Sequence, residues 1–324
     1  MLESIIKNFH KQLDYEPVIE NENKFVRKDK FIVCGMGGSN LAGGIIKSWK
    51  PKLDIILQRD YGLPEMDEGL LKGYLVIVSS YSGNVEETIS SFQEAQARGM
   101  SVVVLTTGGK LLEKAESDAV PFIKFPKIES GPRLAIGYSI KATLKAMGEE
   151  AVLNDVGGMA GLFKVSDYET AGKQTAEKLQ DKIPVIYSSG RNAGLARYWK
   201  ITFNETVKLP AFYNFLPELN HNEMAGFDSK IFGGKLKDKF AVIFLNDPDD
   251  EPGVQKRIAA TKKILGDRGF DFIDIDLAGS SLWHKTFAGL AGAMWTSLYL
   301  SRYYDVDPED VSMIDDFKKS LAPF

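Results

Sequence analysis

Short apolar runs alternate with helical patterns along the whole chain, and no other feature restricts the fold as much. Runs bounded by Gly, Ser and Asp occur at residues 31–36, 55–57, 74–79, 102–106 and 122–125. Between them lie helical stretches such as residues 85–98, with Ile89, Phe92 and Ala95 on one face. Such alternation predicts parallel strands covered on both sides by helices. After a long helical stretch at 134–149, a Gly-Gly break at 157–158 and a further helix reaching Lys182, the pattern starts again. Strands are expected at 184–190, 240–245 and 272–276, and helices at 193–209, 253–265, 281–304 and 309–321. FIVCGMGGSNLA at 31–42 and VIYSSGRNAGLA at 185–196 share one plan of strand, glycine turn and helix. The expected fold is α/β: two doubly wound parallel-sheet units in three αβα layers, with helical N- and C-terminal segments. The halves divide into residues 1–153 and 154–324, by duplication of one unit or by convergent patterning.

A chain of 324 residues suits two domains. Its net charge of −4 argues against a protein that coats nucleic acid or an anionic membrane surface. A local nest of backbone N–H groups can still hold a phosphate without net positive charge. Residues 1–15 lack the unbroken apolar stretch of a signal peptide, and the greasy segment 287–300 is short for a membrane span. We therefore expect a soluble, cytoplasmic protein with neither nucleic acid nor membrane as partner. The single cysteine, Cys34, lies in an apolar run and reads as a small buried hydrophobe. The three histidines, His10, His221 and His284, are scattered, which argues against a zinc site. His10 reads as inert, His284 as packing or surface, and His221 stands in a polar loop, where functional residues concentrate.

Two glycine-containing turns carry the chemistry. Ser79-Ser80-Tyr81-Ser82-Gly83-Asn84 follows a strand and opens a helix. A helix N-terminus offers unpaired N–H groups and the positive end of a dipole to an anion. Ser80 and Ser82 add hydroxyls, Gly83 lets the backbone approach a ligand, and Asn84 with Glu87 has capping-box spacing. The competing reading is a helix start that is merely rich in small polar residues. The second turn, Gly35-Met36-Gly37-Gly38-Ser39-Asn40, is close to a dinucleotide fingerprint, with Asp60 where a ribose-binding acid could stand. Asn40 replaces the third glycine of that fingerprint.

The segment SYSGNVEET at 80–88 resembles the signature of sugar isomerase (SIS) domains, and the 35–39 turn resembles their first loop. Pro132-Arg133, Phe203-Asn204-Glu205, PELNHN at 217–222 and the tail segments 306–311 and 314–318 are similar, in order and spacing, to the bifunctional phosphoglucose/phosphomannose isomerases. The resemblance implies interconversion of glucose 6-phosphate, and often mannose 6-phosphate, with fructose 6-phosphate, with no metal and no cofactor. Glu205 then matches the proton shuttle between C1 and C2. His221 and Lys318 match the groups serving ring opening and O5, and Arg133 matches the arginine that steadies the enediolate. Gly38, Ser39, Ser80 and Ser82 match phosphate and sugar contacts, and the same two loops add Gly37, Gly83, Val85 and Thr88 to the candidate set. Val85 departs from the family, which usually has Thr there. The resemblance also implies a homodimer whose sites are shared between subunits.

Read without the resemblance, Glu205 lies mid-helix with Ile201 and Leu209 one turn away. An acid on such an apolar face loses solvation and becomes a stronger base. The alternative is a surface glutamate paired with Lys208 at i+3. Arg133 either caps a sheet edge or offers a planar cation to a developing enediolate. The aromatic stretch 212–215 and the pair Trp295 and Tyr299 read as core and dimer contacts. Two other functions fit parts of the sequence: a non-catalytic phosphosugar-binding regulator, and an oxidoreductase using the 35–40 turn.

Overall fold

The computed structural model describes residues 1–228 and 237–321. Among the described residues nine strands form two parallel sheets. The first half contributes β1 (Lys30–Cys34), β2 (Asp54–Gln58), β3 (Leu75–Ser80), β4 (Ser101–Thr106) and β5 (Phe122–Lys124), in the order β2-β1-β3-β4-β5. The second contributes β6 (Ile183–Ser189), β7 (Phe212–Leu216), β8 (Phe240–Asn246) and β9 (Phe272–Asp276), in the order β7-β6-β8-β9. The helices are α1 (Leu2–Lys7), α2 (Leu41–Trp49), α3 (Glu68–Leu71), α4 (Glu86–Ala97), α5 (Gly109–Ser117), α6 (Ile136–Met147), α7 (Glu150–Gly158), α8 (Glu169–Lys178), α9 (Ala193–Thr202), α10 (Pro252–Gly266), α11 (Leu282–Tyr303) and α12 (Ser312–Ser320).

Central strands are buried along their length, as a sheet with helices on both faces requires. All six residues of β3 are buried, in register with β1 (Ile77 opposite Val33) and with β4 (Ile77 opposite Val103). Cys34 is fully buried, and that burial pushes its thiol up to about 12. Trp295 is core, with its indole N–H donating to the Val165 carbonyl at 2.8 Å. Tyr299 donates to Glu169 at 2.6 Å, and His284 packs edge-on against Phe163. No described helix is long and apolar enough to cross a membrane.

β7 was not expected. Its sequence FYNFL lacks alternation, and Phe212 and Phe215 stay 55% and 38% exposed on an edge strand. An edge strand with one unpaired side carries little of the burial signal that marks its neighbours.

The halves meet where α2 crosses α9. A Cβ on Gly194 would stand 2.9 Å from the Gly44 backbone carbon, so the two helices touch main chain to main chain. In each sheet the first strand sends its helix to one side and the third strand sends its helix to the other. This leaves a crevice at the carboxyl ends, where ligands of such folds bind. In the first half the crevice is bounded by the 35–40 turn and the loop after β3. In the second half it is filled by the chain's own groups. Asn192 donates to Ser189 Oγ at 3.1 Å and to Asp247 at 3.2 Å, and Lys285 pairs with Asp247 at 2.7 Å. The second crevice is thus closed by its own ion pair and hydrogen bonds, and the two halves share one plan but differ in chemistry.

Candidate active site

A cavity of ≈ 370 Å³ opens over the first crevice. Five segments build it: the turn after β1 (Gly37, Gly38, Ser39), the loop after β3 (Ser82, Val85), residues 129–133, Glu205 beyond α9, and the tail with Glu309 and Lys318. Eight of the twelve residues singled out in the sequence therefore line one cavity. Ser80, Gly83 and Thr88 lie just behind the loop, all buried. His221 does not join them. It is exposed in a short helical turn, Glu218–His221, beyond β7.

Side chains lock the two loops together. Ser79 Oγ donates to the Ser39 carbonyl at 2.8 Å, and Tyr81 N–H donates to Ser39 Oγ at 3.0 Å. Gly83 has φ +70°, and a Cβ there would fall 1.8 Å from the Gly108 carbonyl oxygen, so only glycine fits. α4 starts at Glu86 with Val85 at its cap and no side-chain cap hydrogen bond. The expected capping box is absent, because Asn84 Oδ1 accepts from Lys110 N–H at 3.1 Å instead. The first-turn N–H groups of α4 thus stay free for a ligand. Ser80 Oγ and Thr88 Oγ1 are buried without a hydrogen-bond partner among the described residues. Orphaned hydroxyls are costly unless something completes them.

Glu205 departs from the simple helical reading. α9 ends at Thr202, and Phe203–Val207 form one π-helical turn, a wide turn often found at functional sites. Asn204 Nδ2 donates to the Leu209 carbonyl at 2.9 Å and holds the turn, while Lys208 takes a left-handed φ of 60°. Ile201 and Leu209 consequently no longer flank Glu205 on a regular helix face. Its half-buried carboxylate faces Arg133 instead, Nη1 to Oε2 at 3.3 Å. Lys208 does not pair with that carboxylate; its ammonium donates to the Glu205 carbonyl at 2.5 Å.

Arg133 is only 2% exposed, and all three guanidinium nitrogens are used. Nε donates to Thr206 Oγ1 at 2.9 Å, Nη1 to Glu205, and Nη2 to the Pro308 carbonyl at 2.8 Å. It does not cap a sheet edge. Tyr81 anchors the segment leading to it: its hydroxyl donates to the Ile128 carbonyl at 2.7 Å and accepts from Ile128 N–H at 2.6 Å. Sequence reasoning missed Tyr81, Thr206 and Glu309, and read Lys208 only as a partner for the Glu205 carboxylate; their contacts join segments far apart in the chain, which no motif spacing encodes.

The dinucleotide reading fails on geometry. Asn40, fully buried, closes the 35–40 turn with Nδ2 on the Val33 carbonyl at 3.0 Å, where the fingerprint needs a bare glycine. Asp60 is exposed and spends its carboxylate on Tyr61 N–H at 2.8 Å. Among the described residues no three His, Cys, Asp or Glu side chains gather as metal ligands would. What the cavity brings together is a carboxylate beside a fixed guanidinium, a lysine above them, and an anion-ready helix start. That set can hold a phosphate and move a proton next to a stabilised oxyanion.

A two-sheet fold with this site defines the SIS class of phosphosugar enzymes. Residues 169–321 match the bacterial phospho-glucose isomerase C-terminal SIS domain. Over 330 aligned residues the chain is 31% identical to a bifunctional phosphoglucose/phosphomannose isomerase of Aquifex aeolicus, covering 98% of this chain and 97% of that one. A protein of the same name from Caldicellulosiruptor bescii is 34% identical, covering 91% and 90%. A solved glucosamine-6-phosphate deaminase of Thermotoga maritima superposes with TM-score 0.68 over 95% of this chain and 96% of that chain, at 13% identity. The chain belongs to the bifunctional phosphoglucose/phosphomannose isomerase family, and it is an enzyme.

Proposed function

We propose that this enzyme interconverts glucose 6-phosphate, and mannose 6-phosphate, with fructose 6-phosphate through an enediolate. The observation that carries the reading is Glu205 held 3.3 Å from Arg133 in the cavity that the serine loop also lines. The phosphate seats at the head of α4, on its free N–H groups and the Ser80, Ser82 and Thr88 hydroxyls. Glu205 carries a proton between C1 and C2 as a carboxylate base. Negative charge that develops on O1 and O2 is met by the Arg133 guanidinium, already in place and already desolvated. Lys318 sits on the tail side of the cavity and serves the ring oxygen. A second chain completes the site, its His221 assisting ring opening, so the working form is a homodimer. Its setting is the cytoplasm, among the hexose phosphates of glycolysis and gluconeogenesis. A purely regulatory phosphosugar binder needs only the phosphate loop, whereas here a base, a guanidinium and a lysine converge beyond it.

The test is an isomerase assay of the pure protein against a panel of aldose and ketose phosphates with EDTA present. Turnover of fructose 6-phosphate unaffected by chelator is expected, because carboxylate, guanidinium and helix dipole supply the acid–base and charge-stabilising roles. Activity that EDTA abolishes and zinc restores contradicts the mechanism.

Val85 lines the cavity at the cap of α4. Val85→Thr returns a hydroxyl to the phosphate side, a gain of roughly 0.5–1.5 kcal/mol, or about two- to tenfold in KM. An unchanged or higher KM means that position 85 does not face the phosphate.

A further inference from the structure

The tail is attached to the active site in an unusual way. Every residue of α12 is exposed, including Met313 at 87% and Phe317 at 61%. No core packing therefore fixes the helix that carries Lys318 over the cavity. The preceding residues, 308–310, are instead tied down at three points, all from site segments. Ser130 Oγ donates to Glu309 Oε1 at 2.7 Å. Arg133 Nη2 donates to the Pro308 carbonyl at 2.8 Å. Lys208 Nζ reaches the same Pro308 carbonyl at 3.4 Å and also donates to the Asp310 carbonyl. Its remaining donor goes to the carbonyl of Glu205 itself at 2.5 Å. An ammonium has three donors, and here each meets a backbone oxygen.

We propose that Lys208 is a positioning residue that ties the tail bearing Lys318 to the turn bearing Glu205. The proposal rests on the isomerase reading for its kinetic consequence, though the tie itself is a structural claim. The left-handed φ of 60° at Lys208 ends the π turn, from which the side chain bridges back to the Glu205 carbonyl and across to the tail. Lys208 feels both partial burial and the nearby Arg133 charge, which together pull its ammonium below the ordinary lysine range. Because Arg133 and Lys208 share the Pro308 carbonyl, the cation facing the enediolate and the tail's anchor form one connected unit. A tail released from this unit still carries Lys318 but no longer aims it, and misplacement of a reacting group by about 1 Å can cost roughly 10²-fold.

The experiment compares full-length wild type, Lys208→Met and Lys208→Arg by three readouts: kcat, the rate of chymotryptic cleavage after Phe317, and the thermal midpoint. Lys208→Met is expected to cleave severalfold faster at Phe317 and to lose roughly ten- to hundredfold in kcat. Its midpoint should stay near the wild-type value, since every residue of the α12 helix it holds is exposed and adds no core packing. Lys208→Arg, which keeps a cation able to donate to several carbonyls, should restore the greater part of both. Wild-type cleavage and kcat in Lys208→Met overturn the proposal, as does a kcat loss that tracks a fallen midpoint with cleavage unchanged. If the wild type shows no isomerase activity while cleavage still answers to position 208, the tie stands and only the isomerase reading falls.

Discussion

Glu205→Gln is expected to lower kcat by about 10²-fold or more while leaving the fold and phosphosugar binding in place. Glutamine fills the same volume but cannot accept a proton from carbon. Arg133 keeps its hydrogen bonds to Thr206 and Pro308 when the carboxylate is gone, so the guanidinium stays where the oxyanion forms. The serine loop lies on other elements and should bind phosphate as before. KM is therefore expected to move little. Two other carboxylates line the cavity, those of Glu129 and Glu309, and Glu309 is engaged by Ser130 at 2.7 Å. Near-native turnover in Glu205→Gln would shift the base to Glu129 and undo the central assignment.

The second large effect concerns assembly. Glu205 lies in the cavity and His221 lies exposed beyond β7, outside it. If a partner's His221 completes the site, Glu205→Gln dimers and His221→Ala dimers are each inactive alone but complement when mixed. In a mixed dimer one site inherits both lesions and the other inherits an intact Glu205 with an intact His221. Free exchange of a symmetric dimer then restores about a quarter of wild-type activity. If a single chain supplied both groups, every site would keep one lesion and the mixture would stay dead. Subunit exchange is checked separately by mixing labelled chains.

Much of this was legible in the sequence, because parallel strands buried on both faces announce themselves as apolar runs. All five strands of the first half and three of the four in the second lie where the runs placed them. β7 escaped because an edge strand need not hide its side chains, and FYNFL reads equally well as an aromatic contact. The phosphate loop was legible because a strand, a serine-glycine turn and a helix start follow one another in sequence. Its supposed capping box was not, since Asn84 spends its side chain on α5, a partner that spacing within α4 cannot reveal. Glu205 was found by motif, yet its surroundings were misjudged. A π turn shifts the side chain off the apolar face, and no 3.6-residue count anticipates an extra residue in a turn. Arg133, Lys208 and the tail meet across 72 to 175 positions of chain, largely through carbonyl oxygens, which leave no trace in side-chain identity.

The most direct test of proton shuttling by Glu205 is to run the reaction in D₂O and locate deuterium by NMR. Wild type acting on fructose 6-phosphate should place solvent deuterium at C2 of the glucose 6-phosphate formed and at C1 of the recovered ketose. Glu205→Gln should leave both positions protonated over the same interval. Product that carries no solvent deuterium at any temperature would point to hydride transfer between the carbons. That result, or a Glu205→Gln enzyme that exchanges at the wild-type rate, contradicts the account.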